Sequence, residues 1–279
     1  MNHTRDRLRV LTALMGVFPH LLLLAVAQEN KATTYAVGRG AMVSVTNNYG
    51  TIAVKPSRNR QVVVSTASRS DAVSLVHEQH GNRIELRSIS TGQSIALVDY
   101  KLLVPADASV RLQSSEGSVR VEGLCGDIIL EVLTGSVEAN DIIDAHLHVK
   151  TLSGPISLTG IRNSHLDVRS NSGSIRIQDA TGSSVEVRSV SGRITYEGDP
   201  GHGAEYLLIS HSGDLDVSIP ARSLVEIRSH SVAGKMDQYL PKADDGSPTV
   251  SMKLLKQGLV GSSRFVLRSY RGNIYIRRP

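Results

Sequence analysis

A glycine that returns every 18 to 21 residues, each time inside the same short phrase, constrains this chain more than any other feature. The phrases SSEGSVRV, VLTGSVEA, TLSGPISL, SNSGSIRI, SVSGRITY and SHSGDLDV put it at Gly117, Gly135, Gly154, Gly173, Gly192 and Gly213, with spacings of 18, 19, 19, 19 and 21 residues. NNYGTIAV around Gly50 reads as an early copy and RSYRGNIYI around Gly272 as the last, while SHSVAGKM puts Val232 where the glycine falls due. On both sides of the glycine, apolar residues alternate with polar ones. Val110 and Leu112, Leu166 and Val168, or Phe265 and Leu267 stand seven and five residues before it; Val119 and Val121, Ile175 and Ile177, or Ile274 and Ile276 stand two and four after. Period-two alternation marks a strand with one buried face. Each unit therefore reads as two short strands joined at a glycine corner.

The return turn repeats as well. Six residues after the corner come Gly123, Asp141, Gly160, Asp179 and Gly198, and nine after it Gly126, Asp144, Asn163, Gly182 and Gly201. These residue types tolerate a left-handed backbone. Between them Leu124, Ile142, Ile161 and Ala180 return one apolar side chain to the axis. A coil of 18–19 residues that turns twice without reversing its hydrophobic register predicts an all-β fold, a single-chain parallel β-solenoid or β-helix. The general rule for parallel crossovers makes it right-handed. The few apolar groups of one coil do not offset the entropy of ordering it, so coils must stack. At a ladder spacing of about 4.8 Å, seven coils make a rod of roughly 35 Å.

The expected organisation is a cap or linker over 28–40 and a solenoid domain over 41–279. Its regular coils span about 109–236, followed by an irregular insert over 237–263 and a closing coil over 264–279. Strands between 41 and 104, with a hairpin at His80-Gly81-Asn82, begin the stack and cap it. Ser or Thr three residues before the corner, at Ser114, Thr151, Ser170, Ser189, Ser210, Ser229 and Ser269, is expected to pair hydroxyls along the stack. The terminal Arg277-Arg278-Pro279 is expected to blunt an exposed edge strand.

Residues 1–27 read as an export signal: the basic MNHTRDRLR, an apolar run from Val10 to Val26, and the small-x-small triplet Ala25-Val26-Ala27 before Gln28. Cleavage after Ala27 is expected, leaving a periplasmic or extracellular protein with no transmembrane segment. The formal charge of +5 then drops to about +3, since Arg5, Arg7 and Arg9 less Asp6 leave with the signal. That excess suits an anionic envelope surface but falls short of the concentrated basic face of a nucleic-acid binder. With no Trp, 2 Phe and 8 Tyr, an aromatic base-stacking platform and a Trp-lined sugar cleft are excluded. The single cysteine, Cys125, excludes an intramolecular disulfide and thiolate metal centres.

Outward positions six and four before the corner form two columns, acids in one and bases in the next: His148 and Lys150, Asp167 and Arg169, Glu186 and Arg188, Glu226 and Arg228. Lys150, Arg169, Arg188 and Arg228 are the candidate contact stripe for an anionic polymer; the plainer reading is a solvated face whose charges pair laterally. His146, His148 and His165 fall close together but lack an obvious third metal ligand, so solvent-facing histidines explain them. His211 and His230 are expected at equivalent corners of adjacent coils. Asp214 and Asp216, preceded by Asp199, raise glycoside chemistry without supplying a complete constellation. Cys125, at a turn, is expected to be a packed thiol.

The phrase LLVPADASVRLQSSEGSVRVEG, followed by iterated SxSGxIxV, resembles a family of exported bacterial proteins described as candidate adhesins with a domain of unknown function. The resemblance covers residues 41–279, departing at Val232 and over 237–263. It implies a β-solenoid in contact with the cell surface, no catalytic motif and no cofactor; some members are associated with envelope stress. The resulting expectation is a non-enzymatic exported binding module whose partner is an envelope polysaccharide or a surface protein. The alternatives are a structural protein assembling end to end and a polysaccharide-active β-helix enzyme.

Overall fold

The computed structural model describes residues 29–68, 73–91, 95, 97–239 and 261–279; the signal-like segment and most of the insert lie outside the described residues. Seven strands precede the regular coils: β1 (Glu29–Ala36), β2 (Met42–Tyr49), β3 (Ile52–Ser57), β4 (Gln61–Ser68), β5 (Val73–His80), β6 (Arg83–Ser90) and β7 (Val98–Pro105). Each following coil is a longer strand, a glycine corner and a four-residue strand. These are β8 (Ser109–Glu116) with β9 (Val119–Glu122), β10 (Ile128–Thr134) with β11 (Val137–Asn140), and β12 (His146–Ser153) with β13 (Ile156–Thr159). Next come β14 (His165–Ser170) with β15 (Ile175–Gln178), β16 (Ser184–Ser189) with β17 (Ile194–Glu197), and β18 (Glu205–Ser210) with β19 (Leu215–Ser218). The last two coils are β20 (Val225–Ser231) with β21 (Met236–Tyr239) and β22 (Ser263–Ser269) with β23 (Ile274–Arg277).

Among the described residues the longer strands form an eleven-stranded sheet, β20-β22-β18-β16-β14-β12-β10-β8-β2-β6-β5, and the shorter ones a twelve-stranded sheet, β1-β4-β7-β3-β9-β11-β13-β15-β17-β19-β23-β21. Pairing is parallel through the stack and antiparallel only at its start, where β5 caps β6 and the pair β4 and β1 caps β7. The expected hairpin is there, with His80 opposite Arg83 across Gly81-Asn82. The alternating apolar residues of both sheets meet in one core, and Leu124, Ile142, Ile161 and Ala180 close it from the return turns. The described non-glycine residues with positive φ, Asp141, Asp144, Asn163 and Asp179 at 50–53°, all belong to those turns. The repeat had assigned them that conformation.

The corner glycines are forced by contact between coils. A Cβ on Gly173 would stand 1.7 Å from the carbonyl oxygen of Gly154, and the backbone of one corner rests on the next in this way along the stack. That contact corrects the register of the coil at 225–239. Gly234, whose Cβ would lie 2.1 Å from the Gly272 carbonyl oxygen, is its corner; Val232 is 60% exposed two residues earlier. The pairing agrees, with Ile227 opposite Phe265 and Ser231, in place of Ser229, opposite Ser269.

Chain order and stack order part company at both ends. The last coil in sequence, β22-β23, is wedged between β18-β19 and β20-β21, so the coil at 225–239 is outermost among the described residues. Likewise β2-β3 lies directly beside β8-β9, with β6 and β7 beyond it. The terminal arginines therefore guard no edge. Arg277 pairs with Asp216 inside the sheet, and the Arg278 guanidinium donates to the carbonyls of Ala221 at 2.8 Å and Ser223 at 2.7 Å. Where β22 enters, Tyr206 and Phe265 stack at 4.3 Å with Tyr196 edge-on to both, and the two tyrosine hydroxyls donate to the Ala180 carbonyl at 3.0 Å.

The hydroxyl column is in register and buried, but its members do not bond to one another. Ser170 donates to its own corner carbonyl at Gly173, 3.0 Å away, whereas the hydroxyls of Ser114, Thr151, Ser189, Ser210 and Ser269 have no hydrogen-bond partner among the described residues. In-register side chains on adjacent strands are separated by about 4.8 Å, too far for a hydroxyl pair that needs about 2.8 Å. Small side chains here leave room for their own corner: a Cβ on Gly192 would already lie 3.0 Å from Ser189 Oγ.

Candidate functional site

The outer face of the eleven-stranded sheet carries a groove of about 830 Å³ running across the strands, along the stack axis. It follows from strand alternation close to the corner. Positions four and two residues before the glycine point outward and make two walls, while the position between them points inward and leaves a floor. One wall is Thr46, Gln113, Glu131, Lys150, Arg169 and Arg188, and the other is Ser115, Leu133, Leu152, Asn171 and Val190. The floor is Asn47, Ser114, Val132, Thr151, Ser170 and Ser189.

Three of the four stripe residues come together. Lys150 pairs in register with Arg169, and Arg169 with Arg188. Arg228 does not join them. The two-residue shift of β20 places it opposite Val266, which is aligned with Leu207, so it lies in the neighbouring column. The basic column continues instead through Ile209 to Arg268 and His230. Arg268 stands four residues before Gly272, the offset shared by the other bases, so the signal that finds it is the repeat itself, resumed beyond the insert.

The acids of the next column pair along each strand with these bases. Arg169 reaches Asp167 at 3.1 Å and Arg188 reaches Glu186 at 2.5 Å. Arg228 reaches Glu226 at 2.6 Å, and this bond, with Arg264 nearby, holds the Glu226 carboxyl below the usual carboxylate range. With each arginine more than half exposed, such pairs contribute little to stability. Lys150 makes no ion pair among the described residues. The opposite wall is unusually apolar for a surface: Leu133, Leu152 and Val190 are 55, 52 and 50% exposed.

The other candidates resolve into structural contacts. His146 meets Asp127 at 3.1 Å and His148 meets Asp167 at 3.6 Å, with His165 5.9 and 6.2 Å from their rings. Among the described residues no three of His, Cys, Asp or Glu are grouped to hold a metal ion. His211 stacks on Tyr270 at 5.0 Å, whereas His230 aligns with Arg268; the wedged coil separates the two histidines expected to be neighbours. Asp214 binds Arg193 at 3.2 Å and accepts from Asn273 N at 2.9 Å, Asp216 pairs with Arg277, and Asp199 accepts from Gly201 N at 3.1 Å. Each carboxylate is thus engaged locally. Cys125 is exposed, not packed, because its turn faces outward; its thiol donates to the Ala106 carbonyl at 3.2 Å.

The family described as Toastrack DUF4097 matches over residues 42–276. No curated protein matches. Among solved structures, a candidate cell adhesion protein from Clostridium sporogenes is 10% identical, with 90% of this chain and 100% of that one covered and a TM-score of 0.31. A candidate adhesin from Bacteroides fragilis is also 10% identical, with 90% and 98% covered and a TM-score of 0.43.

Proposed function

Because the chain belongs to the Toastrack DUF4097 family, we propose that it is an exported, non-enzymatic binding module of the cell envelope that holds an anionic polymer along its eleven-stranded sheet. The observation that carries this reading is the groove with Lys150, Arg169 and Arg188 in one in-register column. Adjacent strands place successive cations about 4.8 Å apart, a linear array that matches a ligand bearing repeated charge better than one bearing a single anionic group. Long-range attraction from such an array is screened within about 8–10 Å at physiological salt, so recognition of this kind is salt-dependent.

The test is binding of the purified protein to isolated envelope fractions across a salt series. Saturable binding that weakens with salt, is lost in the combined variant Lys150→Glu, Arg169→Glu and Arg188→Glu, and survives Arg228→Glu is the expected result. Binding to no fraction by a folded protein, or equal loss in both variants, overturns the reading.

A further inference from the structure

The groove's two walls differ across its width but repeat along its length, and that pattern restricts the ligand further. We infer, resting on the reading above, that the groove takes a linear acidic polysaccharide with one carboxylate per sugar, its carboxylates toward Lys150, Arg169 and Arg188 and its apolar ring faces toward Leu133, Leu152 and Val190.

Three ligand chemistries compete. An anionic lipid concentrates its charge at one end, so it engages one cation and leaves the rest of the column unmatched. An extended peptide repeats its side chains on one face every two residues, about 6.6–6.8 Å, and drifts out of step with cations spaced at about 4.8 Å within two coils. A uronate chain carries one carboxylate on every ring, advances per ring by a distance on the order of the strand spacing, and presents C–H groups on the ring faces; rotation at its glycosidic bonds and the long Lys and Arg side chains let successive carboxylates reach one wall. It is amphipathic across its width and periodic along its length, as the groove is. The apolar wall explains why a Trp-free protein can still hold a sugar: the exposed leucines offer C–H surface to ring faces without a stacking platform. Unpaired Lys150 supplies a full charge, while Arg169 and Arg188, already oriented by Asp167 and Glu186, keep donors in their planar forks for a second carboxylate. Glu131, aligned with Lys150 on the next strand, ends the basic run on that side and sets where the polyanion stops.

Calorimetric titration with polygalacturonate oligomers tests this, beside the same oligomers methyl-esterified and beside polyglutamate, which carries the charge without the rings. Polygalacturonate is expected to bind at least tenfold more tightly than either control. Two variants, Lys150→Gln with Arg169→Gln and Leu133→Ser with Leu152→Ser, are each expected to weaken it at least tenfold with unchanged melting temperature. Polyglutamate binding as tightly as polygalacturonate, or the leucine variant binding like the parent, overturns the assignment. Envelope binding lost in the charge-reversal variant without any affinity for polygalacturonate overturns the uronate assignment alone; absence of both overturns the binding module itself.

Discussion

Substituting Gly173 by alanine should be among the most damaging single-methyl changes available to this protein. The added Cβ would stand 1.7 Å from the backbone carbonyl oxygen of Gly154, and ordinary contact begins at 3.4 Å. No side chain can swing away, so the two coils must part by well over an ångström on that edge. The nearest ladder bonds, Asn171 N to the Thr151 carbonyl at 3.2 Å and Ser172 N to the Leu152 carbonyl at 3.1 Å, lie within two residues of the clash. Overpacking typically costs about 1–3 kcal/mol and each bond lost about 1 kcal/mol, giving roughly 3–5 kcal/mol in total. For a chain of this size that is a fall in melting temperature on the order of 6–20 °C. Gly81→Ala is the control: its φ is left-handed, at +59°, but a Cβ there meets nothing within 4 Å, so backbone strain of about 1–2 kcal/mol is the whole cost. Circular dichroism melts of both variants decide the matter. If Gly173→Ala melts no lower than Gly81→Ala, the corner contact does not set the coil spacing.

The reassigned corner gives a second comparison: Val232→Gly should leave the melting temperature within about 2 °C, whereas Gly234→Val, forced against the Gly272 carbonyl, should cost several kcal/mol by overpacking. A melt of each, with the order reversed, would restore Val232 to the corner. Alkaline pH should also destabilise the fold. Burial raises the Tyr206 hydroxyl to about 12 and pushes Tyr100 and Tyr196 upward as well. The unfolded chain releases these protons near pH 10, so between about 10 and 12 the folded state binds more of them. Stability then falls by up to about 1.4 kcal/mol per pH unit for each hydroxyl. Urea midpoints at pH 9 and 11 that coincide would refute this.

The fold was legible because the regular coils repeat the same demands: an apolar alternation, a corner without Cβ, and, in the coils before β18, a turn residue at left-handed φ. Asp141, Asn163 and Asp179 met the last demand as their residue types predicted. What could not be read was anything that depends on which coil touches which. Spacing counted from Gly213 put Val232 at a corner, and only contact with Gly272 identifies Gly234. The same two-residue shift moved Arg228 out of the basic column, whereas Arg268 joins it through the pairing of β22 with β18. The groove was half visible: its cations were in the repeat, but Leu133, Leu152 and Val190 lie one position past the alternation that identified the strand, where outward apolar residues leave no periodic trace.

The wedged coil also dictates an order of assembly. Regular neighbours such as Ala145 and Ser164 are 19 residues apart, whereas Ala204 meets Ser263 across 59. Closing the longer loop costs about 1 kcal/mol more, a small penalty at equilibrium but one incurred late. A chain emerging from its N-terminus can build coils in sequence as far as β19, yet β20 and β21 have no seat until the final residues arrive to pair with them on one side and with β18 and β19 on the other. The C-terminal strands thus act as a keystone. A chain cut short before them keeps most of its repeats but ends in two unpaired strand edges, so the stack is completed only once these strands are in place.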